Sequence, residues 1–429
     1  MKNNRIHTPF GVKAYLSDEC RIKKAITNAM DKVFTGYGYN EVITPTFEYI
    51  EVFSDDKMGS TSPANMYKVF DRDGAVLALR SDMTPPIARV ASTAYADEKN
   101  AVRLYYFGNA FRFNASYQGK LSEFFQAGIE LMGVDSAYAD AEVIAVACES
   151  LIAAGIKDFK IMVGEVEFFK GLLRQSLLSD EDCKVLQDLV ANRNYVGVEE
   201  LTENRDMDSD TKELLRSLPK LVGGEDVLKR ASEFIYDEGA LNSLKRMEDI
   251  YDILKCYGAD KYISFDLGMV NRLNYYTGII FRGYTYGSGY SVVDGGRYDN
   301  LAELYGKKMP SVGFCIKINE IINSLEKTGT DIVKAPLKAL FAYDRTGVSA
   351  AIKIAAAYRK KGMIVENSLL GEDFSKNMEY AKEKDFSHML YFSGSKVRIA
   401  SLKDEMGGYC VEVPVSQLTA MEGEEKCDI

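Results

Sequence analysis

Histidine is nearly missing from this sequence: His7 and His388 are the only two in 429 residues, and each stands alone. Acid–base or nucleophilic catalysis built on histidine is therefore poorly supported. Cysteine pairs are missing too. The seven cysteines (20, 148, 183, 256, 315, 410 and 427) are scattered, with no Cys-x-x-Cys. That argues against a structural zinc or a disulfide framework and fits reduced thiols. No apolar run approaches the length of a membrane helix. The opening "MKNNRIHTPFGVKAYL" has no apolar signal core, so a cytoplasmic location is expected. Positive charge is in deficit, with Lys+Arg 53 against Asp+Glu 63 and a net charge of −10. Nothing global favours nucleic acid. No metal and no cofactor are expected.

What is present is a globular composition, 46% hydrophobic and 27% charged, in a chain long enough for two or three domains. Residues 17–35 predict a helix, with Ser17 as N-cap and Ile22, Ile26, Met30, Val33 and Phe34 as one apolar stripe. "YNEVITPTFEYIEVF" predicts a strand broken at Pro45, which belongs at an edge. A hairpin is expected around Asp73-Gly74, and a helix opening on the prolines of "SDMTPPIARVAS". Residues 101–133 predict a long antiparallel pair. A helix over 137–154 follows, burying Ile144, Ala147, Cys148, Leu151 and Ile152. Residues 171–260 predict helices and are acidic, 12 Lys and Arg against 20 Asp and Glu, net −8. Strands return from about 262 to 294, then a strand and helix at 311–326. Beyond a linker at 327–335, strand and helix patterns alternate as a small α/β domain over 336–429.

The strand 122–133 sorts by period two. Phe124, Gln126, Gly128, Glu130 and Met132 share one face; Phe125, Ala127, Ile129 and Leu131 share the other, which is expected to be core. Gln and Glu flanking a glycine suggest a floor open to a ligand, although a solvated sheet face has the same pattern. Three further segments favour a pocket. "LRSDMTPPIAR" puts an arginine and an acid before a helix start, "NAFR" puts Arg112 at a strand end, and "NRLNYYTGIIFRGY" (271–284) carries tandem phenols. A free amino acid needs a cation for its carboxylate and an acid or hydroxyl for its ammonium.

These segments, in this order, resemble the class II aminoacyl-tRNA synthetases, and within them the histidyl-tRNA synthetase family. "GYGYNEVITPTFE" is similar to motif 1 and "FRFNASYQGKLSEFFQAGIE" to motif 2. "NRLNYYTG" and "DGGRYDNL" are similar to the two histidine-specific motifs. The resemblance implies an α+β fold: a class II antiparallel-sheet core over 1–170 and 261–326, the helical insertion at 171–260, and an anticodon-binding-like domain at the end. It also implies a pocket for histidine. Asp82 and Thr84 would face the ammonium, Arg112 and Gln126 the carboxylate end, and Glu130 and Tyr276 the imidazole, with Tyr275 lining the pocket.

The departures fall on the nucleotide side. The catalytic arginine of the first histidine motif is replaced by Asn271, and the ATP-binding arginine of motif 3 by Glu320. The motif 2 residues after the first arginine are Asn114, Ala115, Ser116 and Tyr117. An acid in place of that arginine sets like charge against phosphate. A kept amino-acid site with a lost ATP site resembles the regulatory subunits of ATP phosphoribosyltransferase, which serve the first step of histidine biosynthesis. That resemblance implies a non-catalytic chain with a homodimeric core, a short-form catalytic subunit as partner, a hetero-octamer and L-histidine as feedback ligand. The alternatives are a working histidine–tRNA ligase or a synthetase-like paralogue with another partner. The "DGGRYDNL" glycines could also serve only a turn.

Overall fold

The computed structural model of the chain describes residues 4–54, 63–113, 121–270, 276–332, 337–403 and 410–420. The chain divides into two compact units, residues 1–333 and 334–429.

The first unit opens with α1 (Ser17–Gly36), which buries Ile26, Met30 and Phe34 and half-buries Ile22 and Val33. Ser17 is not its cap. Leu16 takes the extended N-cap conformation, and its N–H is met by Glu19 at 3.4 Å. The Pro45 break separates β1 (Asn40–Glu41) from β2 (Phe47–Tyr49). The hairpin β3 (Lys68–Phe70) and β4 (Val76–Leu79) joins β2 in a small sheet of order β2-β4-β3. Helix α2 (Thr84–Ala94) starts on Pro85 and Pro86, whose missing N–H groups cost nothing in a first turn.

The large sheet is built from β5 (Val102–Phe111), β6 (Glu123–Met132), β7 (Phe159–Glu165), β8 (Val222–Gly223), β9 (Ile263–Asp266), β10 (Ile279–Thr285), β11 (Val293–Arg297) and β12 (Ser311–Lys317), with β1 at one edge. Its order among the described residues is β1-β5-β6-β12-β11-β10-β7-β9-β8. The expected antiparallel character holds for the centre. The joins β1–β5 and β7–β9, nearer the margins, are parallel.

Helix α3 (Ala137–Ala153) lies against this sheet. The insertion supplies α4 (Val166–Ser176), α5 (Asp180–Ala191), α6 (Tyr195–Glu203), α7 (Ser209–Ser217), α8 (Asp226–Ser232) and α9 (Glu238–Cys256). Because α1 and α9 as well as the sheet pack on α3, it is buried nearly all round, Val143 and Val146 as fully as Ile144 and Leu151. Ile152 departs from expectation and is 48% exposed, on the face of α3 that also carries the exposed Glu149. Helix α10 (Ile318–Thr328) ends the unit and takes in the first residues of the expected linker.

The second unit has a five-stranded sheet: β13 (Lys338–Tyr343), β14 (Ile364–Asn367), β15 (His388–Ser393), β16 (Lys396–Ser401) and β17 (Cys410–Pro414), in the order β14-β13-β15-β16-β17. The crossovers α11 (Val348–Lys360) and α12 (Phe374–Glu383) make β14, β13 and β15 parallel, and α13 (Val415–Ala420) closes the unit. Phe341, Ile354 and Phe392 lie at its core. Among the described residues of the chain, no helix is long and apolar enough to cross a membrane.

Candidate functional site

A cavity of about 780 Å³ opens over the centre of the large sheet. Alternation on β6 builds its floor. Ala127, Ile129 and Leu131 go to the core behind the sheet, while Phe124, Gln126 and Glu130 line the cavity. The glycine between them does not leave the floor open. A Cβ on Gly128 would lie 2.5 Å from the Tyr106 hydroxyl, so the space is filled by the tyrosine paired with it on β5. Two more glycines make room for side chains. A Cβ on Gly313 would fall 1.8 Å from Glu130 Oε2, and one on Gly296 would fall 2.7 Å from the Tyr276 ring. Gly295 and Gly296 lie within β11, so they serve close approach rather than a turn.

Glu130 is the centre of the site. It is 1% exposed. Thr84 Oγ1, at the start of α2, donates to its Oε1 at 2.7 Å, and the Tyr298 hydroxyl donates to its Oε2. Burial pushes its carboxyl up to about 8, against the two hydroxyl donors, with Asp82 adding like charge. Thr84, expected at an ammonium, is thus tied to the carboxylate assigned to the imidazole. Asp82 and Arg112 share the next stretch of wall. Arg112 Nη2 stands 3.8 Å from Asp82 Oδ2, Arg112 Nε donates to the Ser81 carbonyl at 2.8 Å, and its guanidinium lies 5.3 Å from the Phe124 ring centre. Gln126, 1% exposed, turns Nε2 to Cys315 Sγ at 3.4 Å; its Oε1 is buried with no partner among the described residues. Tyr276 lines the same cavity. Six of the seven expected residues therefore converge. Tyr275 lies outside the described residues, as do Asn271 and the segment 114–117.

The far half of the cavity is lined by Arg282, Asp294, Lys317 and Glu320, where the resemblance would put nucleotide-binding groups. Lys317 Nζ is 2.5 Å from Asp294 Oδ2 and 2.8 Å from Ser291 Oγ. Glu320 accepts from Ser288 Oγ at 2.8 Å and borders the cavity. Asp294 is shared with Arg282, whose Nε stands 3.8 Å from its Oδ1, so a polyphosphate would meet two cations and two carboxylates there, without net positive charge. Tyr298, Tyr106 and Cys315 were not singled out in advance. Tyr298 was within reach, because the alternation of Asp294, Gly296 and Tyr298 puts it on the face of Glu130.

With this geometry, likeness to known proteins becomes specific. The sequence model of the histidyl-tRNA synthetase family matches residues 11–321. An ATP phosphoribosyltransferase regulatory subunit of Acetivibrio thermocellus is 41% identical over 386 residues, 90% of this chain and 92% of that one. The chain belongs to the ATP phosphoribosyltransferase regulatory subunit family. A regulatory subunit of that name from Ruminiclostridium cellulolyticum is 37% identical over 95% of this chain and 97% of its own. Among solved structures, an ATP phosphoribosyltransferase regulatory subunit/histidyl-tRNA synthetase from Bacillus halodurans covers 91% of this chain and 98% of its own, with a TM-score of 0.80 and 29% identity. Histidyl-tRNA synthetase from Nostoc sp. has a TM-score of 0.79 at 22% identity, a likeness of fold. As in the family, the class II core here belongs to a regulatory chain, and the role is non-catalytic.

Proposed function

We propose that this chain is the histidine-sensing regulatory subunit of ATP phosphoribosyltransferase. It would bind free L-histidine in the sheet cavity, activate a short-form catalytic subunit, and transmit feedback inhibition in the first step of histidine biosynthesis. The observation that carries the reading is Glu130. A fully buried carboxylate held by two hydroxyls, with no cation against it among the described residues, suits a ligand that brings its own N–H donor. An imidazole supplies one. At the other end, Asp82 and the bare Gln126 Oε1 suit an ammonium, and Arg112 suits a carboxylate. Gln126 thereby moves from the carboxylate end, where the resemblance put it, to the ammonium.

Assembly would use the motif 1 side of the core. Ile43, Phe47 and Phe70 stand 80%, 55% and 76% exposed on that segment and the neighbouring hairpin, an apolar surface fit for a homodimer inside a cytoplasmic hetero-octamer. The acidic insertion has the wrong sign for RNA. The test is calorimetry with L-histidine, followed by co-purification with the catalytic subunit and assay of the complex with and without histidine. Absence of binding heat, or a partner indifferent to this chain, would overturn the reading.

A further inference from the structure

One buried carboxylate in this fold is shared by two arginines from different parts of it. Asp140, in the first turn of α3, is wholly buried. Its Oδ1 accepts from Arg297 Nε at 2.9 Å and Nη2 at 2.6 Å. Its Oδ2 meets Arg246 Nε at 2.8 Å and Nη2 at 2.7 Å. Arg297, 2% exposed, ends β11; Arg246 lies in α9 of the acidic insertion. Asp135 stands 2.8 Å from Arg246 Nη2, and Asp299 accepts from Arg297 Nη1 at 3.0 Å.

The cluster reaches the ligand cavity through the backbone of Arg297. The next residue is Tyr298, which holds Glu130. The Arg297 carbonyl accepts from Thr277 N at 2.8 Å, one residue from Tyr276. Thr277 Oγ1 donates to Asp299 Oδ2 at 2.8 Å and accepts from Asp299 N at 3.0 Å. A Cβ on Gly278 would stand only 3.0 Å from Arg297 Cδ, so the two tyrosine-bearing segments close tightly on the aliphatic stem of this arginine. The segments that carry both cavity-lining tyrosines therefore meet at Arg297, whose guanidinium is held by a carboxylate that pairs through its other oxygen with Arg246 of the insertion.

We propose that Arg246, acting through Asp140 and Arg297, is a positioning residue for the ligand pocket and couples the helical insertion to its occupancy. The proposal rests on the histidine reading of that pocket. A ligand that fixes Glu130 and Tyr298 steadies Asp299 and Arg297, hence Asp140, hence Arg246 and α9. Linkage makes the effect mutual: loosening α9 must weaken the ligand by the same factor.

The test is hydrogen exchange on the full chain and on Arg246→Gln, each with and without saturating L-histidine, alongside calorimetry. Without ligand, Arg246→Gln is expected to speed exchange across 276–299. With ligand, histidine is expected to slow exchange in α9 of the wild type but not of the variant, which should bind histidine about 5-fold more weakly. A merely structural role for Arg246 would lower thermal stability without removing this histidine-dependent protection. If Arg246→Gln does not fold, Arg246→Lys keeps the charge but not the fork, and should shift the same amides less. Unchanged exchange in 276–299 without ligand overturns the coupling whatever the pocket binds. So does α9 protection by histidine that is equal in variant and wild type. Absence of binding heat in the wild type overturns the pocket reading instead, and the unliganded comparison still judges the coupling.

Discussion

Replacing Glu130 by Gln should make the unliganded protein more stable at alkaline pH while strongly weakening its response to histidine. The carboxyl sits at about 8 in the fold against an ordinary 4.5, mainly because burial penalises the charged form. The neutral acid is tolerated and the carboxylate is not. The stability it contributes is therefore complete below pH 4.5 and is lost as pH rises towards 8. A shift of that size corresponds to about 5 kcal/mol over the interval, with about 3 kcal/mol already lost at pH 7. An amide cannot ionise; its one carbonyl oxygen accepts from one of the two hydroxyls, and its NH2 donates to the oxygen of the other. Glu130→Gln should match the wild type near pH 5 and exceed it at pH 8 by about 2–4 kcal/mol, or about 1 M in urea midpoint. Glu165, the buried N-cap of α4, is also pushed up, to about 7, by burial. It acts in the same sense, so the variant's pH profile flattens without becoming level. With no tryptophan in the chain, unfolding is best followed by far-ultraviolet circular dichroism. The same variant should lose about two decades of histidine affinity, the equivalent of one charged contact. A Glu130→Gln protein whose stability falls in parallel with the wild type from pH 5 to 9 would refute the account of Glu130 as a buried, uncompensated acid.

Gly313→Ala places a methyl 1.8 Å from Glu130 Oε2; overpacking of about 1–3 kcal/mol and loss of at least about tenfold in histidine affinity are expected in urea melts and calorimetry. Arg112→Ala should weaken calorimetric histidine binding by about one to two decades with the circular dichroism spectrum unchanged; tight binding retained would place the ligand elsewhere. Tyr276→Phe should weaken histidine inhibition of the reconstituted complex while leaving activation of the partner intact, read as turnover against histidine concentration. Purified protein should show no histidine-dependent ATP–pyrophosphate exchange, and Asn271→Arg with Glu320→Arg should not restore it, because motif 2 is altered as well.

The parts of this molecule that were legible in advance are those where one periodicity governs. Alternation on β6 separated Gln126 and Glu130 from the core, and the Pro45 break and the Asp73-Gly74 hairpin followed from backbone chemistry. Legibility failed where a residue's surroundings come from distant chain. Ile152 was grouped with the core, but it falls on the helix face of the exposed Glu149 while its neighbour Leu151 is buried. Gly128 looked like a gap because Tyr106, 22 positions earlier in sequence and opposite it in register, could not be seen. Thr84 was assigned to an ammonium because its bond to Glu130 joins residues 46 apart. The Asp140 cluster needs three elements at once, α3, β11 and α9, and no local pattern announces it.

The magnitude at Glu130 bears on why such a site would sense rather than react. Moving a two-state equilibrium from 1:99 to 99:1 takes a differential affinity of about 5.5 kcal/mol. A ligand that is bound equally well in both states moves nothing, however tightly it binds. In the proposed reading, the unliganded pocket carries an acid that is costly to ionise, and the arriving imidazole supplies the missing partner. The penalty relieved, about 3 kcal/mol at pH 7 by the shift above, is part of what a near-complete switch demands, and the remainder falls to the other contacts of the ligand. An enzyme of the same fold would have to direct that interaction towards a transition state. Here the far half of the cavity holds the Lys317–Asp294 pair and Glu320 and the role is non-catalytic, so the binding energy has no reaction to accelerate. The route left open is structural, from Glu130 through Tyr298 to the segments that Arg297 and Asp140 hold.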